Sequence, residues 1–337
     1  MAGNCSWETQ PTSKSKVQQL CPGAPPELCG RGFLSMEQLS PGPPPAPALY
    51  AALLLGLLGL LGNALVLRVL GCGARRGPFA VYLLHLAGAD ATFLLSRALA
   101  AALSAGPVGG APAAYLGALC RLAGLCGLLA GVGLLPALSA ERLACVLWPG
   151  WFWRRRPAHL AAVACGLLWA LALLATGLHH YFCAFLGPAG AAACGRADAG
   201  LGVLLFLVCC PLMVLPCLAL VLLAECRAPR RRPSAKLTHV VLALVAVFLV
   251  SSIYLGVDCF LFWVFHIPAP FPEYVTDLCL SLNAGAKPVV YFLAGRDRSQ
   301  RLWEPFRVVL QRALRDGGEP GEPGEALEMQ APRGNSA

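Results

Sequence analysis

"SLNAGAKPVVYFLAGR", residues 281–296, is apolar enough to end a membrane-spanning helix, yet it holds an ammonium group at Lys287. Whether this run spans a membrane is decided by the chain around it. Of 337 residues, 57% are hydrophobic and 13% charged, about half the charged share of an ordinary soluble domain. Such a chain cannot dissolve as one water-facing globule, and the membrane class follows. Residues 38–67, 98–120, 122–140, 157–195, 199–224 and 237–257 contain no Asp, Glu, Lys or Arg, and shorter uncharged windows flank Asp90 and Lys287. A spanning helix takes about 20 mostly apolar residues. With Asp90, Arg97, Arg121 and Lys287 admitted inside helices, seven spans result: 48–70, 79–104, 115–143, 158–182, 199–224, 238–265 and 275–295. The expected fold is an all-α membrane protein, a seven-transmembrane helix bundle over residues 48–295.

Basic residues set its orientation. Arg75 and Arg76 follow the first span, Arg154, Arg155 and Arg156 the third, and Arg227, Arg230, Arg231, Arg232 and Lys236 the fifth. The alternate connections carry only Arg196. The N-terminus is therefore expected outside and the C-terminus inside. The net charge of +9 reflects this topology and does not point to nucleic acid.

Residues 1–47 read as an extracellular tail without a cleavable signal peptide, so the first span would serve as the targeting signal. The tail ends in the stiff "PGPPPAP" at 41–47. Its "NCS" sequon offers Asn4 for glycosylation. Of 16 cysteines, half lie within spans, where they act as small apolar residues. Cys183 and Cys194 enclose a short Gly/Ala-rich loop on the oxidising side and are expected to pair. The pairing of Cys5, Cys21 and Cys29 is open. After the last span, residues 296–315 place Leu302, Phe306, Val309, Leu310 and Ala313 at helical spacing among arginines, which suits an amphipathic helix on the inner leaflet of the bilayer. Residues 316–337 are disordered by composition. No loop is long enough for a soluble domain, so function must reside in the bundle and its edges.

Five motifs fall in register across the spans. "LLGNALVL" holds Asn63, "LHLAGAD" holds Asp90, "LSAERL" ends the third span with Glu141, Arg142 and Leu143, Trp169 sits mid-span, and "KPVVYF" supplies Pro288 and Tyr291. In order and spacing the chain resembles the rhodopsin-like (class A) G-protein-coupled receptors. Most of those tie the third span to the second outer loop through a cysteine 25 residues before the motif arginine, a position that is Gly117 here. That departure, with "GPFAVYLLHLAGAD" and "PVVYFLAG", is similar to the Mas-related receptors and implies one of orphan type.

The resemblance implies an orphan-type receptor that passes an unknown extracellular ligand's signal to a heterotrimeric G protein. Glu141 would hold Arg142 until the sixth span moves outward and frees the arginine. The ligand would meet the outer half of the bundle, where Arg97, His179, His180, Asp198 and Asp258 are ionisable and costly inside a membrane. Relatives that sense basic peptides and amines carry one acid four residues before the first cysteine and another four after the second. Here those positions are His179 and Asp198, so a strongly dicationic ligand is disfavoured. Arg97 either serves a ligand or pairs internally with Asp258 or Asp198. Of the outer aromatics of the sixth span, Trp263 is kept as a pocket residue and the rest read as interfacial anchors.

Catalysis is not expected. Ser139 lacks a Gly-flanked motif, and His85, His179, His180, His239 and His266 are dispersed, so neither a nucleophile, a cofactor nor a metal site is foreseen. Paired repeats of the transporter kind are not seen either.

Several switch elements differ from the class A pattern. Where those receptors carry Cys-Trp-x-Pro, the sixth span reads "SSIY", residues 251–254. Ser252 and Tyr254 stand there with Phe248 below, and without the proline the helix loses a pivot. The fifth span has no tyrosine to meet Tyr291. After the seventh span, Ser299 and Ser336 are sparse material for arrestin. Two functions therefore remain open: a ligand-driven receptor, or a weakly signalling partner of other membrane proteins.

Lys287 lies nine residues before Arg296, about 13 Å along a helix, too deep to snorkel easily. In the family an asparagine at this position lies near the second-span aspartate, around a sodium ion. Asp90 and Asn283 are present here, but the third-span position 11 residues before Arg142 is Gly131. The expectation is that the Lys287 ammonium replaces sodium and pairs with Asp90.

Overall fold

The computed structural model describes residues 46–72, 77–105, 110–186, 190–226, 235–265, 273–296 and 306–314. Among them there is no strand, and seven helical stretches are long and apolar enough to cross a membrane. The elements are α1 (Ala46–Gly71), α2 (Pro78–Ala105), α3 (Ala111–Leu147), α4 (Pro149–Arg154), α5 (Leu160–His180), α6 (Ala191–Val203), α7 (Cys210–Cys226), α8 (Ala235–Phe265), α9 (Glu273–Gly295) and α10 (Phe306–Leu314). π-helical turns extend α5 over Tyr181–Phe185 and join α6 to α7 over Leu204–Cys209. The fifth span is thus α6, the π turn and α7.

All seven expected spans are present. The second and third form the centre, with 56% of their apolar windows buried, against 22% for the first, fourth and fifth. Leucines of those peripheral spans, such as Leu58, Leu61, Leu167 and Leu215, stay exposed. An apolar face of that extent is stable only against lipid. The structure lengthens α3 at both ends, and it starts the fifth span at Ala191 rather than 199. The added segment, "AAACGRAD", is rich in alanine, the best helix former, and takes Cys194 and Asp198 into the helix. The π turn at 204–209 ends two residues before Pro211, whose missing N–H removes the usual helical donor to Leu207 and favours a widened turn.

The first and seventh spans meet at glycines. A Cβ on Gly59 would lie 2.7 Å from the Gly285 Cα, so this approach needs hydrogen at that position. One turn along, Asn63 Nδ2 donates to the carbonyls of Gly59 at 2.9 Å and Ala284 at 3.0 Å. The motif asparagine therefore fastens the two helices together.

The short helix α4 was not anticipated from sequence. Pro149 suits its first turn, and its Phe152 is buried and stacks on Phe79 of α2 with centroids 5.8 Å apart. Beyond the seventh span, α10 has the expected amphipathic character. Its Val309 and Leu310 are buried, Phe306 stacks on Phe292, and a Cβ on Gly295 would fall 1.9 Å from the Val309 carbonyl oxygen. Its apolar face is turned onto the bundle. Asn4, the N-terminal cysteines and residues 315–337 lie outside the described residues.

Candidate functional site

Among the described residues, polar groups gather in mid-membrane and toward both ends of this apolar bundle. In mid-membrane, Lys287 is 1% exposed and its Nζ donates to Asp90 Oδ1 at 2.7 Å. The pairing read from the sequence is therefore in the structure. Asp90 Oδ2 and Asn283 Oδ1 are buried nearby without a hydrogen-bond partner among the described residues. A cavity of about 10 Å³ lies between Asp90, Gly131, Asn283 and Lys287, at the lower limit for one water. These residues do not fit a sodium ion. Gly131 offers no side-chain oxygen, and the ammonium already holds the carboxylate. A second cation about 4 Å from it would be repelled by about 4 kcal/mol at an effective dielectric of 20. One turn on, Tyr291 is 1% exposed, and its hydroxyl is unpartnered among the described residues.

In the sixth span, Phe248 and Ser252 are buried one turn apart, but Tyr254 is 38% exposed. Tyr254 is thus set apart from the buried pair Phe248 and Ser252. Two residues beyond Ser252 a helical side chain is rotated by about 200°, which carries the tyrosine to the outer face. Ser252 instead borders an apolar cavity of about 320 Å³ between the fifth and sixth spans, beside Phe206, Cys210, Leu249 and Gly256. The π turn carrying Phe206 shapes it, and the sequence held no signal for it.

At the end bearing the arginine-rich connections, Arg142 is fully buried. Its Nε donates to Thr238 Oγ1 of the sixth span at 3.1 Å, and its guanidinium lies 5.6 Å from the Phe79 ring centroid. Glu141 does not act as the expected clasp on its neighbour. Its carboxylate forms an ion pair with Arg156, also accepts the Tyr82 hydroxyl, and both members of the pair are buried. Adjacent helical residues project in directions about 100° apart, so Glu141 faces away from Arg142 and toward the chain returning from α4. Arg156 in turn covers the Phe152 ring at 5.3 Å. Leu143 beside them is half-buried.

At the opposite end, Cys183 and Cys194 form the expected disulfide, with Cα atoms 4.6 Å apart. His179 stands one turn before the first cysteine and Asp198 one turn after the second. Their side chains meet, Nε2 to Oδ1 at 2.9 Å, and Asp198 is fully buried. The sequence reading placed both in the ligand region without seeing that one caps the other. His179, Cys183, Cys194 and Asp198 bring their donor atoms within 4.8 Å of one another. Arg97 pairs with Asp277 of the seventh span, not with Asp198. Asp277 was overlooked, although an acid in one span facing an arginine in another is the expected resolution of two membrane charges. Asp258 and Trp263 belong to α8, but their side chains lie outside the described residues. Ser139 is buried and spends its hydroxyl on the Leu135 carbonyl at 2.9 Å, an arrangement without nucleophilic use.

No family model matches the chain. Among known proteins it is 60% identical over 346 residues to Mas-related G-protein coupled receptor member F of Homo sapiens, covering 100% of both chains. It is 34% identical over 336 residues to Mas-related G-protein coupled receptor member X1 of Homo sapiens, covering 96% of this chain and 98% of the other. To member D of Homo sapiens it is 38% identical over 274 residues, with 78% and 83% covered.

Proposed function

The chain belongs to the Mas-related G-protein-coupled receptors, multi-pass proteins of the plasma membrane and not enzymes, and from that premise we propose a receptor that passes an extracellular ligand signal to a heterotrimeric G protein under unusual restraint. The observation that carries this reading is Arg142, buried at the base of the third span and bonded across to Thr238 of the sixth. Outward movement of the sixth span breaks that bond and presents the guanidinium, with Leu143, to a G protein. The restraint is the Lys287–Asp90 pair, which ties the seventh span to the second where other receptors hold a dissociable ion. Switching involves Phe248, Ser252, Asn283, Pro288 and Tyr291 in the layer around that tie.

The ligand site is the disulfide end. The Asp198 carboxylate is buried and capped by His179, and Arg97 and Asp277 neutralise each other. Little free negative charge is offered, which supports a neutral, singly charged or anionic ligand over a dicationic one. A second reading, a weakly signalling protein that modulates other membrane proteins, draws on the same Lys287–Asp90 tie.

Measuring basal and ligand-panel G-protein activation, with Arg142→Ala as the inactive control, separates the two. A receptor gives a response that Arg142→Ala abolishes and Asp198→Ala diminishes. Strong responses to basic peptides that survive Asp198→Ala contradict the ligand assignment, and activity indistinguishable from Arg142→Ala throughout favours the second reading.

A further inference from the structure

We propose that reduction of the Cys183–Cys194 disulfide turns this end of the bundle into a tetrahedral zinc site made by His179, Cys183, Cys194 and Asp198. His179 and Cys183 are four residues apart, as are Cys194 and Asp198, and both pairs lie on continuous helical turns. That spacing stacks each pair on one face of its helix. The disulfide brings the two faces together, so two donors from each helix converge on one point, all four atoms within 4.8 Å.

The distances suit the metal. Zinc bonds of about 2.3 Å to sulfur and 2.0–2.2 Å to nitrogen and oxygen give tetrahedron edges of about 3.4–3.8 Å. His179 Nε2 lies 3.5 Å from Cys183 Sγ, and Cys194 Sγ lies 3.7 Å from Asp198 Oδ2. The His179–Asp198 contact of 2.9 Å has to widen slightly. The one large change is between the two sulfurs, which must part to about 3.8 Å. Asp198 and Cys194 are buried, while His179 and Cys183 are only partly so.

The chemistry balances with a dithiol as reductant. Its two thiols supply two electrons and two protons, the Cys183–Cys194 bond breaks to two thiols, and the reductant closes to its own disulfide. Zinc then displaces those two protons as the sulfurs bind as thiolates, with neutral His179 and the Asp198 carboxylate completing the set. Before reduction the sulfurs are bonded to each other and supply no thiolate, so the site exists in one redox state only. Metal binding would withdraw His179 and Asp198 from ligand recognition, which makes the site a redox-gated modulator of the receptor.

The test uses the full chain in lipid nanodiscs, titrated with Co²⁺ before and after treatment with a dithiol that is then removed. Only the reduced protein is expected to develop the visible bands of tetrahedral cobalt with thiolate ligands, bleached by Zn²⁺ at a single equivalent. Cys183→Ser/Cys194→Ser, which retains the other cysteines, should lose the bands. His179→Ala and Asp198→Asn should shift and weaken them. Equal bands in the reduced wild type and the double serine variant overturn the proposal. So do bands unchanged by both His179→Ala and Asp198→Asn, no bands at all, or loss of helical circular dichroism on reduction.

Discussion

Lys287→Ala is expected to cost about 3–5 kcal/mol of stability, because it leaves the Asp90 carboxylate buried without its partner. The side chains are only 2% and 7% exposed, so water cannot take over the lost contact. Asp90→Ala should be about as damaging, since it strands an ammonium in mid-membrane. The double variant removes both charges and should recover a large part of the loss. The interaction term of the double-mutant cycle, read from thermal melts of the purified receptor and from cell-surface yield, is therefore expected to be large. Simple addition of the two single losses would show that the pair contributes nothing specific. The pair need not stabilise the receptor relative to an apolar substitute, since the desolvation of two ions offsets much of their attraction. Its consequence lies in specificity: the seventh span is held to the second by a bond that no ion concentration can release.

The second large effect separates the two ends of the Glu141-Arg142 dipeptide. In the class A pattern the acid restrains the arginine, and its removal raises basal signalling. Here Glu141 holds Arg156, so Glu141→Ala and Arg156→Ala should each lower stability by about 3–5 kcal/mol, with little gain in basal activity. The lock on Arg142 is Thr238. Thr238→Val removes one hydrogen bond to a charged group, about 1.5–3 kcal/mol, and should raise basal G-protein activation several-fold over wild type. A basal assay on the three variants decides between the arrangements. If Glu141→Ala is the activating change and Thr238→Val is silent, the roles assigned to these side chains are wrong.

What the sequence made legible is what depends on one helix at a time. Uncharged windows located all seven spans; the depth of Lys287 required a partner, and the family resemblance pointed to Asp90. The Cys183–Cys194 bridge followed from two cysteines enclosing a short loop. What it hid depends on which way neighbouring helices turn. Glu141 and Arg142 are adjacent in the chain but point apart, and Glu141's partner arrives only because α4 folds back beneath α3. Arg97 found Asp277, 180 residues on, rather than Asp198. Tyr254 was grouped with Ser252 by proximity in sequence, and helical rotation separates them. The early start of the fifth span also escaped, because Arg196 and Asp198 made a helical turn resemble a loop.

The central claim is that Lys287 stands where related receptors hold sodium, and sodium itself tests it most directly. Thermal stability of the purified receptor should be compared in sodium chloride and in choline chloride at equal ionic strength, for wild type and for Lys287→Asn combined with Gly131→Ser. The Gly131 Cβ position lies 3.7 Å from Asp90 Oδ1, so the added serine can reach the site without displacing its neighbours. Wild type should melt at the same temperature in both salts, and the double variant should melt higher in sodium. A sodium-specific rise in the melting temperature of the wild type would contradict the account.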